Sequence, residues 1–157
     1  MRIGVVGDIH GAYDELKRAV AALGPIDQLL FTGDGYRDIC RLRDESNLFV
    51  QGVAGNCDFG SEFPASQLLY LDGHKVLLTH GHYYGVKNGL RRLSEAGREQ
   101  GAVLVVFGHT HQPLLDTWNG IQLFNPGTLS RERAYQGITY GVLETAPTGI
   151  TAYLQRL

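Results

Sequence analysis

The stretch "VLVVFGHTHQP", residues 103–113, decides the fold: an apolar run ends in Gly108, and His109, Thr110 and His111 follow at once. The run reads as a buried strand. A lone histidine beside a core is ordinarily a hydrogen-bonded structural residue, and a pair one residue apart decides nothing alone. The question is whether other strands end the same way.

They do. "RIGVV" (2–6) reads as a strand followed by Asp8 and His10 in "GDIHG". "DQLLFT" (27–32) is followed by Asp34, and "LFVQG" (48–52) by Asn56 in "GNCD". "KVLLT" runs into His80 and His82 in "HGH". Of six histidines, His74 alone lies outside this pattern, beside a turn. Scattered structural histidines would not sort themselves in this way.

Between these runs, "AYDELKRAVAAL" (12–23) places Leu16, Ala19, Val20 and Leu23 at helical spacing, with Gly24–Pro25 as its stop. Residues 86–101 form a second expected helix, weakened by Gly89 and Gly97. Asp72–Gly73 and Asn119–Gly120 each separate two strand-like runs and signal two-residue hairpins. A third hairpin is expected around Pro147–Gly149, joining 138–144 to 150–157. Strands and helices alternate early and antiparallel strands dominate late, which gives an α/β class with two sheets. Segments 36–46, 59–66 and 83–90 read as loops that set specificity. Their aromatic residues, Tyr36, Phe59, Tyr83 and Tyr84, either stack on a substrate ring or pack against the core.

The chain has 157 residues, which suits one domain over 1–157. Its net charge of −2 lacks the basic footprint of a duplex binder. Arg91, Arg92 and Arg98 fall on one expected helix and read as a solvated face. Cys40 and Cys57 make no disulfide framework, and neither a signal peptide nor a membrane span is legible. A soluble protein of a reducing cytoplasm is expected.

Ligands of α/β sheets collect beyond the carboxyl ends of the strands. Five such loops would gather Asp8, His10, Asp34, Asn56, His80, His109 and His111. This exceeds what one tetrahedral zinc needs and suits two cations sharing a carboxylate. Residues i and i+2 of an extended segment point the same way, which would aim both members of Asp-x-His and His-x-His. Mixed imidazole and carboxylate donors favour transition ions over calcium or magnesium. Manganese is the expected ion, with iron, nickel or zinc as alternatives.

In order, "GDIHG", "GD" (33–34), "GNCD", "HGH" and "GHTH" resemble the five blocks of the calcineurin-like metallophosphoesterases. "NPGTLSRER" (125–133) is similar to the closing block of their small single-domain branch, which includes phosphodiesterases similar to the retromer subunit Vps29. The resemblance implies a two-sheet β sandwich flanked by helices, in four layers α/β/β/α. It also implies that Asp8, His10, Asp34 and His111 hold one ion, and that Asp34, Asn56, His80 and His109 hold the other. Asp34, Asn56, His80 and His109 would be the catalytic group. Cys57, Asp58, His82 and Arg133 are candidates for supporting or substrate contacts. The chain departs from the pattern where Arg37 replaces an expected acid and Cys57 a common histidine that protonates the leaving oxygen. Glu132 also replaces a common proline before Arg133.

The implied reaction is in-line attack by a metal-bridging hydroxide on a small phosphodiester or activated phosphomonoester. The rivals are a Vps29-like protein-binding scaffold and a nuclease, with a nucleic-acid polymer disfavoured by the mild acidity. A protein phosphatase would need extra elements to hold a peptide. No membrane partner is expected, and homo-oligomerisation is left open.

Overall fold

The computed structural model describes residues 1–157. In chain order the elements are β1 (Arg2–Val6), α1 (Tyr13–Leu23), β2 (Gln28–Phe31), α2 (Tyr36–Glu45) and β3 (Val50–Gly52). Next come β4 (Ser66–Leu71), β5 (His74–Thr79), α3 (Arg91–Glu99) and β6 (Leu104–Val106). The chain closes with β7 (Leu114–Trp118), β8 (Ile121–Asn125), β9 (Thr139–Ala146) and β10 (Gly149–Arg156). Two five-stranded sheets result, with orders β10-β9-β1-β2-β3 and β4-β5-β6-β8-β7. In the first sheet β1, β2 and β3 run parallel. In the second β5, β6 and β8 do so.

The layers follow from alternation along the strands. Ile3 and Val5 of β1, Leu30 of β2, Val76 and Leu78 of β5, and Leu104 and Val106 of β6 meet between the sheets. The intervening residues face outward. Val6, Leu29 and Phe31 pack on Leu16, Ala19 and Leu23 of α1 and on Ile39 and Leu42 of α2. On the far side Leu77, Val105 and Leu123 pack on Leu93 of α3. Both faces of both sheets are covered, so the parallel strands read as continuous apolar runs. The order α/β/β/α is the four-layer sandwich.

Two expected segments differ. Residues 36–46 are mostly helix α2 and not a loop. Gly35 gives α2 no side-chain cap, and its capping acceptor comes from elsewhere in the chain. The Asp58 carboxylate, more than twenty residues downstream, accepts the Gly35 and Tyr36 N–H groups at 2.9 Å each. The second expected helix breaks at Gly89 (φ 142°), leaving a 3₁₀ turn at Val86–Asn88 and a shorter α3. The hairpin turns lie where expected, and no helix is long and apolar enough to cross a membrane.

Candidate metal centre

The carboxyl ends of β1, β2, β3, β5 and β6 meet at one edge of the sandwich. Asp8 and Asp34 follow β1 and β2, and both are buried. His80 directly follows β5 and is fully buried, while His10, His109 and His111 are half-buried and Asn56 is exposed. All seven expected donors come together.

They form two adjoining groups. In the first, Asp8 Oδ1 lies 3.3 Å from His111 Nε2 and 3.7 Å from His10 Nε2. The two Nε2 atoms are 3.3 Å apart. In the second, His80 Nε2 lies 3.0 Å from Asn56 Oδ1, 3.1 Å from His109 Nδ1 and 3.3 Å from Asp34 Oδ2. That same Asp34 oxygen is 3.7 Å from His10 Nε2, so it stands between the groups.

Backbone and side-chain hydrogen bonds aim these atoms. The His80 Nδ1–H donates to the Thr32 carbonyl at 2.8 Å, which leaves the Nε2 lone pair facing the site. Asp8 Oδ2 accepts the His109 N–H, and Asp34 Oδ1 accepts the Cys57 N–H. Asp58 accepts the N–H groups of Asp34, Gly35, Tyr36 and Gly55, tying the second and third loops together. Its carboxylate is a brace. From the closing block, Asn125 Nδ2 donates to the Gly108 carbonyl and Thr110 Oγ1, and Thr128 Oγ1 donates to the Asp8 carbonyl. Sequence reasoning did not single out Thr32, Asn125 or Thr128. The last two lie within the closing block "NPGTLSRER", and only its resemblance hinted at them.

The reason for convergence also differs from expectation. Asp8, His10, Asp34, His109 and His111 all have left-handed backbones, with φ between 46° and 72°. The i and i+2 side chains converge through successive tight turns and not along an extended segment. Five such non-glycine residues in one site are uncommon and costly.

Electrostatics supply the test of whether cations fit. Asp8 Oδ1 is buried without a hydrogen-bond partner. Burial pushes the Asp8 and Asp34 pKa values up, but the adjacent imidazoles outweigh it and both are lowered. Burial also opposes charge on His80, yet Asp34 and Asp8 raise its pKa. His109 falls to about 4, through burial and then the charges of His80 and Lys87. Ionised carboxylates and facing ring nitrogens without intervening donors are expensive. Two ligands about 2.1 Å from one ion, at right angles, are about 3 Å apart. The spacing and the donor chemistry therefore fit divalent transition ions.

The other expected contacts are dispersed. Cys57 is exposed, and its Sγ lies with His10 and Asp34 in a third cluster of metal-capable atoms. His82 packs edge-on against His80 and tilted against His109, with ring centroids at 5.2 and 5.9 Å, and burial lowers its pKa. Arg133 is exposed and donates to Ser130 Oγ. Two clefts border the cluster. One, of about 440 Å³, touches His10, Asp34 and Cys57; the other, of about 320 Å³, is lined by His111, Lys87 and Tyr135 among others.

The model of the calcineurin-like phosphoesterase superfamily domain matches residues 1–148. The chain belongs to that superfamily. A probable metallophosphoesterase of Bacillus subtilis, YsnB, is 30% identical over 91% of this chain and 83% of its own. The phosphodiesterase YfcE of Escherichia coli is 27% identical, covering 97% of this chain and 92% of its own. Among solved structures, Entamoeba histolytica Vps29 complexed with zinc superposes with a TM-score of 0.81 at 23% identity. That match covers 98% of this chain and 91% of Vps29. The chain shares its fold with YfcE, at a TM-score of 0.70, as well as with Vps29, so its chemistry rests on its own residues.

Proposed function

We propose that this protein is a dinuclear metal-dependent phosphodiesterase acting on small phosphodiesters. The observation that carries the reading is the convergence of seven donors in two adjoining groups, with Asp34 Oδ2 between them and Asp8 Oδ1 buried without a hydrogen-bond partner. Asp8, His10 and His111 would hold one ion and Asn56, His80 and His109 the other, with Asp34 Oδ2 shared. When bound, two divalent ions, manganese foremost, supply Lewis acidity toward the phosphoryl oxygens and an activated water.

The remaining work belongs to the chain. Thr32 fixes the tautomer and direction of His80. Asp58 holds the Asp34 and Gly55 loops at a set separation. The buried ends of β1, β2 and β5 exclude water from one side of the site. A diester presents two substituents, and the two clefts beside the cluster favour such a substrate over a compact monoester. Hydrolysis bonds the oxygen of water to phosphorus and breaks one ester P–O bond; the leaving oxygen takes that bond's electron pair and a proton from the water, and departs as an alcohol.

Asp34→Asn is the decisive variant, assayed with bis(p-nitrophenyl) phosphate and added Mn²⁺. Turnover should be abolished, and metal content should fall from about two ions per chain. Retention of most activity would remove the shared-ligand assignment. A Vps29-like scaffold is the second reading, favoured by the shape match at a TM-score of 0.81. Zinc accompanies that relative too, so turnover by the wild-type chain, and not metal content, separates the readings.

A further inference from the structure

Resting on the phosphodiesterase reading, we infer that the cleft between Arg37 and Phe59 holds the retained substituent of the substrate: a nucleoside carrying a second phosphate. The cleft opens directly off His10, Asp34 and Cys57, and its volume of about 440 Å³ is within the range of small-molecule sites, about 300–1,000 Å³. Its walls are the first turn of α2 and the Asp58–Phe59 segment.

Most polar groups there are already engaged. Asp58 receives four backbone N–H groups, and Asp38 Oδ2 accepts the Gly11 N–H at 3.0 Å. Tyr36 is packed edge-on against Phe63, ring centroids 5.7 Å apart, and serves the core. Two residues are free. Phe59 is 91% exposed and pairs with no aromatic ring. Arg37 is exposed and has no ion-pair partner, unlike Arg41 and Arg43 on the same helix. An exposed flat ring offers a stacking face for a base, and a free guanidinium offers two parallel donors to a phosphate. Both stand in one cleft beside the donor cluster. That juxtaposition specifies an aromatic group and an anion on the same substituent.

Three substrates with a common p-nitrophenolate leaving group test this: methyl p-nitrophenyl phosphate, thymidine 5′-(p-nitrophenyl phosphate), and the latter bearing a 3′-phosphate. With the manganese-loaded wild-type enzyme, adding the nucleoside should raise kcat/KM about tenfold, and the 3′-phosphate about fivefold more. Phe59→Ala should collapse the first ratio toward one and keep the second. Arg37→Gln should do the reverse. Ratios within each variant cancel any general loss of folding or metal. A calorimetric titration with thymidine 3′,5′-bisphosphate gives a second readout, and each substitution should weaken binding about five- to tenfold. Wild-type ratios near one, or ratios that survive both substitutions, overturn the inference while leaving the phosphodiesterase reading standing. Failure to hydrolyse any of the three esters overturns that reading, and this one with it.

Discussion

Asp8 and Asp72 share nearly one backbone φ, 46° and 48°, and so do His10 and Asn119, at 48° and 50°. The first of each pair lies at the donor cluster and the second in a hairpin turn. In the hairpins the residue types suit the geometry: Asp72–Gly73 and Asn119–Gly120 have left-handed φ at both positions, the pattern of tight two-residue turns. At the cluster, histidine and aspartate carry the lone pairs that the proposed function uses, and the backbone bends to bring them together. Left-handed conformations cost roughly 1–2 kcal/mol per ordinary residue. Hydrogen bonds donated by Asn125 and Thr128, and the Asp34 N–H donated to Asp58, hold them there. The hairpins use left-handed turns to set register, and the cluster uses them to bring carboxylate oxygens and ring nitrogens together.

Substituting glycine at each end gives the largest contrast. A Cβ on Gly55 would lie 2.0 Å from Asp34 Oδ1 and 2.5 Å from its backbone nitrogen. Gly55→Ala must displace the carboxylate that both ion sites would share. Its diesterase turnover should fall at least about a hundredfold, because a displacement of about 1 Å at reacting groups costs that much. Bound manganese should fall with it. A variant with wild-type turnover would break the claim that this loop positions Asp34. Gly73→Ala, at φ 85° and with nothing within 4 Å, meets strain without a clash. It should lose about 1–2 kcal/mol, a few degrees of melting temperature, while the folded molecules keep full turnover. Equal losses of activity at the two glycines would erase the distinction between the regions.

The two regions were also unequally legible in the sequence. Hairpin turns announce themselves because their residue types are chosen for backbone geometry, and Asp72–Gly73 and Asn119–Gly120 lie where that chemistry placed them. The donor set was legible for a different reason: acids and imidazoles recur after apolar runs, and the parallel strands bring those run ends to one edge. The left-handed turns that aim the donors were not legible, since nothing local in Asp-Ile-His or His-Thr-His disfavours an extended path. Helix α2 was hidden likewise. Its apolar stripe is narrow, with Ile39 and Leu42 buried, and its capping carboxylate arrives from Asp58. Partners distant in sequence decide both features.

The smallest effects test the strain itself, at His10 and Asn119. In chelator-treated protein, His10→Gly should be more stable than His10→Ala by about 1 kcal/mol, although both lose the same imidazole. The glycine accepts φ 48° without the steric penalty that alanine retains. Both variants should bind manganese weakly, so stability and metal affinity part company. At Asn119, replacement by glycine should change stability by only a few tenths of a kcal/mol, because asparagine already tolerates this conformation. Denaturant titrations of the three variants beside wild type resolve differences of the larger size. If His10→Gly and His10→Ala unfold at the same midpoint, the cluster carries no stored backbone strain, and the near-equal φ values of the two regions have equal energetic meaning. A gap at His10 with none at Asn119 places the strain where the lone pairs are.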